Sequence, residues 1–374
     1  MQVMKKGKMY KHIRDIILKI VALMGLLYLF LLSIELIGSA FKLFGSDLAE
    51  QLLQSTSSPL EGLFIGILVT SLVQSSSTVT SIVVGMVGGG ALTIAGAIPI
   101  VMGANIGTSV TNVIVSIGSI GRREEFRRAF GAATVHDYFN ILAVIIIFPL
   151  QISFNVLGRS ATFLSSLLLG TQGLEFKSPL KMIVKPTSHF IIEFVQSQPI
   201  IVLILAFVIL FISLKYIIIV LKSVILNKAE SFFDKLIFKT ALRAFVFGML
   251  LTVLVQSSSV TTSLVVPLVG AGMLSVVQIY PYTIGANIGT TMTTILASLV
   301  TGEISAVTVA FAHLLFNVFG GTIIFGIKFL RNIPLFLSEK VSDIVCHHRW
   351  ISIVFVSIIF FIIPLLVIFI IERF

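Results

Sequence analysis

A short polar phrase occurs twice inside apolar sequence, and its repetition constrains the fold more than any other feature of the chain. Thr70 to Ser81 reads TSLVQSSSTVTS and Thr252 to Ser263 reads TVLVQSSSVTTS, identical at nine of twelve positions. Each copy is followed by GANIGT, at Gly103 to Thr108 and again at Gly285 to Thr290. The spacing is constant, with Gln256 lying 182 positions after Gln74 and Asn287 lying 182 after Asn105. One unit has been duplicated with no insertion between its two phrases. Hydroxyls and amides at bilayer depth are costly unless they have partners, so two such clusters mark a candidate site.

Composition makes the bilayer the relevant solvent. Of 374 residues, 57% are hydrophobic and 11% charged, outside the range of soluble globular domains. Many apolar stretches approach or exceed the ~20 residues that a helix needs to cross a bilayer. The chain reads as an all-α polytopic membrane protein. The net charge of +10 sits in short segments between apolar runs, a topology-setting pattern, and no nucleic-acid partner is expected. The single cysteine, Cys346, allows neither an internal disulfide nor a Cys-based zinc site. The run Ile16 to Phe41 follows a basic N-terminus, but it is too long for a signal peptide and is read as a retained first span.

In chain order, the first copy comprises that helix, an arm over Lys42 to Ser58, a hairpin over Leu60 to Gly90, a span over Thr93 to Ser119 broken at GANIGT, and a helix over Phe126 to Leu150. The stretch Leu60 to Gly90 is too long for one ordinary span and carries QSSST near its middle, so it is expected to dip into the membrane and return. The second copy repeats the plan with a helix over Ile200 to Leu221, an arm over Ser223 to Thr240, a hairpin over Arg243 to Gly272, a broken span over Ser275 to Val300, and a helix over Ser305 to Leu330. Expected boundaries are thus 1–150 for the first copy, 151–197 for an external connection, 198–332 for the second copy, and 333–374 for a cytoplasmic loop and last helix. For the connection, two structures stay open: a loop with amphipathic pieces, or a weakly marked helix pair.

If the hairpins do not cross, each copy crosses three times, so the second is inverted in the membrane, and the last helix makes seven crossings. Lys and Arg asymmetry places the N-terminus in the cytoplasm and the C-terminus outside. Inverted repeats with re-entrant hairpins and two broken helices are the architecture of secondary transporters, with the site near the midplane.

The phrases suit ions. A half-helix starting near Ser75 to Ser77 presents unpaired N–H groups and the positive end of its dipole, an anion site needing no Lys or Arg. The preceding half-helix ends near Gln74 with free carbonyls, which together with hydroxyls and the Gln74 amide suit a small cation such as sodium. Asn105, Thr108, Asn287 and Thr290 offer the same chemistry. Against this stands the reading of small polar residues as helix–helix glue, which duplication at equal spacing makes less economical. Both copies also carry a His with Phe and Asn three and four residues on: His136, Phe139 and Asn140, and His313, Phe316 and Asn317. A hydrogen-bonded structural histidine is the expectation there. Asp137, whose counterpart is Leu314, is either a cation ligand or part of a local polar network. No GxSxG-like nucleophile context supports an enzyme, and a channel is distinguished by uptake without strict sodium dependence.

The phrases QSSST at Gln74 to Thr78, QSSS at Gln256 to Ser259, both GANIGT copies, and RRAFGAATVHDYFN from Arg127 to Asn140 resemble the type II sodium-dependent phosphate cotransporter family. The resemblance implies a sodium-coupled, elevator-like symporter of inorganic phosphate in a bacterial-type inner (plasma) membrane. It assigns phosphate to Ser75, Ser76, Ser77, Ser257, Ser258 and Ser259, with Asn105 and Asn287 added on chemistry. Sodium falls to Gln74, Gln256, Thr78, Thr108, Thr290 and Asp137, the last resembling electrogenic members. Expected partners are phosphate, sodium and the bilayer, with no cofactor and no transition metal; a homodimer is left open. The competing function is sodium-coupled symport of another small oxyanion or a carboxylate.

Overall fold

A computed structural model describes residues 2–44, 58–169, 179–229 and 237–373, and every regular element among them is helical. Seven helices among them are long and apolar enough to cross a membrane: Ile17–Phe44, Ile94–Ile117, Arg123–Phe154, Pro199–Ile217, Val276–Thr301, Ile304–Gly326 and Ile351–Ile371. The chain is an all-α polytopic membrane protein, as its composition requires.

The first copy opens with α1 (Gln2–Phe44). A pair of short helices follows, α2 (Pro59–Val73) and α3 (Ser76–Gly88), meeting at Gln74 and Ser75. At ~1.5 Å per residue each arm is roughly 20 Å long, short of the ~30 Å hydrocarbon core. The second copy has the same pair in α10 (Ala241–Val255) and α11 (Ser258–Gly270), meeting at Gln256 and Ser257. The turn is built identically in both. Gln74 and Gln256 sit in the left-handed region at φ 56° and 54° and close the arm, their N–H groups donating to Thr70 and Thr252. Ser75 and Ser257 are extended and cap the next arm, their hydroxyls accepting from the Thr78 and Val260 N–H groups at 3.2 and 3.3 Å.

The spans after the hairpins differ. In the first copy α4 (Ile94–Gly107) stops, Thr108 and Ser109 form a turn, and α5 (Val110–Ile117) continues. In the second, α12 (Val276–Thr301) runs straight through its GANIGT, so one broken helix is observed where two were expected. The glycines of the phrase serve packing. A Cβ on Gly103 would lie 2.0 Å from the Leu63 carbonyl oxygen, and one on Gly285 would lie 2.0 Å from that of Phe245. They let α4 lie against α2, and α12 against α10, with backbones in contact. The copies diverge just after the phrase, where Val110 is matched by Met292, a better helix former.

The next spans are α6 (Arg123–Phe154) and α13 (Ile304–Gly326). Between the copies lie two helices, α7 (Val156–Leu169) on α13 and α8 (Pro179–Phe194) on α1, and the residues between them, 170–178, lie outside the described residues. α9 (Pro199–Ala229) opens the second copy and packs on α1. It extends through the first residues expected to form an arm. The remaining arm residues at 230–236, like 45–57 of the first arm, lie outside the described residues. The segment expected as a cytoplasmic loop is instead mostly α14 (Lys328–His347), packed on α6. The last span comprises α15 (Ile351–Ser357), a π-helical turn (Ile358–Ile362) and α16 (Ile363–Arg373), with α16 against α2.

The two copies interlock rather than sit side by side. α3 of the first packs on α12 of the second, and α11 of the second packs on α5 and α6 of the first. Each polar turn is thereby brought to the junction.

Candidate substrate and ion site

The hairpin turns touch. Ser77 Oγ donates to the Gln256 backbone carbonyl at 3.2 Å, joining residues 179 apart. Around this contact Ser76, Ser77, Thr78, Ser258 and Ser259 are buried, Ser75, Ser257 and Gln256 are half-buried, and Gln74 is exposed. The caps satisfy only the N–H groups of Thr78 and Val260, so those of Ser76, Ser77, Ser258 and Ser259 stay outside the intrahelical ladder. Four amide donors at two helix starts therefore flank the contact between the turns.

Two relays lead from the turns to the GANIGT asparagines, and each crosses from one copy to the other. In the first, the Thr80 hydroxyl donates to the Ser76 carbonyl at 2.8 Å and lies 2.8 Å from Thr294 Oγ1. Thr294 Oγ1 is 3.0 Å from His313 Nδ1, and His313 Nε2 is 3.5 Å from Asn105 Oδ1. In the second, the Thr262 hydroxyl is 2.8 Å from the Ser258 carbonyl and 3.0 Å from Asn112 Oδ1. Asn112 Nδ2 is 3.5 Å from His136 Nδ1, and His136 Nε2 donates to Asn287 Oδ1 at 2.6 Å. Asn287 Nδ2 then donates to Asn140 Oδ1 at 2.7 Å, and Asn140 Nδ2 to the Asn105 backbone carbonyl at 2.9 Å. Thr80 and Thr262, and Asn112 and Thr294, are themselves 182 apart.

The relays are symmetric in sequence and unequal in geometry. Asn287 spends both ends of its amide, whereas the matching atoms of the other half, Asn105 Nδ2 and Asn317 Oδ1, are buried without a partner. The slack half belongs to the broken span, whose turn follows Asn105 directly.

Beside that turn lies Asp137, fully buried, with the Ser109 hydroxyl as its neighbour and no well-formed hydrogen bond to either carboxylate oxygen. The neighbouring Ser109 hydroxyl donates to the Ile106 carbonyl at 3.0 Å. A carboxyl so placed is neutralised either by a proton or by a bound cation. Thr108 and Thr290, expected as cation ligands, donate their hydroxyls back to Ala104 and Ala286. Thr78 donates its hydroxyl to Ser75 Oγ at 2.7 Å. The serines and glutamines of the turns are thus together, Asn105 and Asn287 stand behind them in the relays, and Asp137 stands at the break.

Thr80, Asn112, Thr262 and Thr294 were not among the sequence-derived site residues. Their signal was present as polar positions repeated at the same offset; what sequence lacked was which helix faces meet.

The Na+/Pi-cotransporter family model matches residues 29–175 and 209–332. Sodium-dependent phosphate transport protein 2B of Homo sapiens is 33% identical over 93% of this chain and 64% of its own length. Sodium-dependent phosphate transport protein 2A of Rattus norvegicus is 33% identical over 94% of this chain and 67% of its own. The chain spans less than two thirds of the length of the protein 2B relatives it matches, 65% of that of Pongo abelii. No solved structure matches it. With matched segments covering both copies of the duplicated unit, the chain belongs to the Na+/Pi-cotransporter family.

Proposed function

We propose that the chain is a secondary active symporter that moves inorganic phosphate together with sodium. The observation that carries this reading is the Ser77 to Gln256 contact, which unites two helix starts from separate copies at one part-buried point. No Lys or Arg lies in either phrase, so an anion there is held by N–H groups, helix dipoles, hydroxyls and bound cations. Ser75, Ser76, Ser77, Ser257, Ser258 and Ser259 take the phosphate. Asn105 has a free amide N–H to add, while Asn287 must first release Asn140.

Sodium is held by hard oxygen ligands: the carbonyl ends of α2 and α10, the side chains of Gln74 and Gln256, and the hydroxyls of Thr78, Thr108 and Thr290. Asp137 takes a further sodium, its unpartnered oxygens beside the interrupted helix being the ligands, which makes the cycle electrogenic. The short arms support re-entrant hairpins, and the odd number of crossings per copy supports oppositely oriented copies. The transporter then works by elevator-like alternating access, with its N-terminus in the cytoplasm, its C-terminus outside, and the cell inner (plasma) membrane as its location.

Purified protein in proteoliposomes tests the function. Inward sodium gradients should drive accumulation of labelled phosphate, and replacing sodium with potassium should remove it. Equal uptake in both salts would reject coupling, and stronger competition by sulfate or succinate than by phosphate would reassign the substrate.

A further inference from the structure

Where α14 gives way to the last span, the chain forms an open, basic surface cavity of about 450 Å³. Its walls are Arg123 from the start of α6, Cys346 and His347 from the end of α14, and His348, Arg349 and Trp350 from the turn. None of these is acidic. The nearby acids are engaged elsewhere: Glu125 pairs with Arg122 at 2.8 Å, and Glu124 and Asp343 both pair with Arg127 at 3.2 Å. Arg128 Nε donates to the Gly270 carbonyl at 2.9 Å. Of the arginines at this end of α6, Arg123 alone has neither an ion pair nor a hydrogen bond among the described residues, and it is the one that lines the cavity. Arg349 likewise has no ion pair among the described residues. His347 Nδ1 donates to the Asp343 carbonyl at 2.8 Å, which leaves Nε2 available.

The cavity lies next to lipid-facing surface. Trp350 is 64% exposed, the position of an indole at headgroup level, and Ile353, about one helical turn further along in α15, is 60% exposed. A ligand with an anionic head in the cavity would therefore lay an apolar body along the last span. We propose that the cavity binds the phosphate group of an anionic phospholipid, with its acyl chains along α15 and α16. Basic pockets at helix junctions near the headgroup layer recognise such lipids. Free phosphate shares the head chemistry but places nothing on the apolar face. The cavity shares no residue with the hairpin turns, so the proposal stands apart from the transport reading.

Native mass spectrometry of the full chain in detergent tests it, with phosphatidylglycerol and phosphatidylcholine of identical acyl chains as probes. The expected result is retention of phosphatidylglycerol over phosphatidylcholine by about tenfold, reduced to parity in an Arg123→Gln/Arg349→Gln double variant. Both positions are exposed, and an unchanged unfolding temperature confirms that the variant is folded. Lack of preference in the original chain, or an undiminished preference in the double variant, overturns the proposal. Displacement of phosphatidylglycerol by excess inorganic phosphate also overturns it and reassigns the cavity to the free anion; persistence of the lipid supports it.

Discussion

At the scale of single residues, the relays assign unequal weight to residues that sequence makes equivalent. Asn287 holds His136 and Asn140 at once, so Asn287→Ala leaves two buried polar groups unpaired, at a cost of about 1–3 kcal/mol. Asn105 makes only a 3.5 Å side-chain contact with His313, so Asn105→Ala should cost under about 1 kcal/mol. Thermal unfolding in detergent checks this, and equal losses would mean that the two halves are equally tight. Asp137 gives a second expectation. Asp137→Gly should lower the charge moved per phosphate, read as current against labelled uptake in the same vesicles; an unchanged ratio would remove it from the coupling. The phrases were legible because they repeat. The threonines behind them were not, since a hydroxyl on a helix looks the same whether it faces a histidine or a neighbouring carbonyl.

At the scale of elements, the hairpins followed from length and interruption, and the turns from residues suited to their backbone. Ser75 and Ser257 are good helix caps, and a stretch of about thirty apolar residues with a polar centre has few other arrangements. The interruption of the span did not follow. GANIGT looks like a helix breaker in both copies, yet its glycines answer to the neighbouring backbone, and α12 passes through unbroken. Re-entrance makes a direct prediction in a Cys346→Ser background. Single cysteines at Ser58 and Thr93, flanking the first hairpin, should react with an impermeant maleimide from outside. Those at Thr240 and Met273, flanking the second, should react from inside only. Labelling of the two flanks of either hairpin from opposite sides would show that it crosses.

At the scale of the whole molecule, duplication explains why a site can form without buried basic residues. Each copy supplies one helix start, and interlocking of α3 with α12 and of α11 with α5 and α6 carries both starts to the junction. Sequence revealed the two copies and their equal spacing; the interlocking depends on packing between faces that no single copy encodes, and so emerged only in three dimensions. The account therefore depends on the two turns acting as one site. Sodium-dependent binding of labelled phosphate to purified protein tests this most directly, comparing Ser76→Ala with Ser258→Ala. The account predicts that either change alone abolishes binding while the protein remains folded. Binding at the original level in either variant would mean that a single turn suffices, and would contradict it.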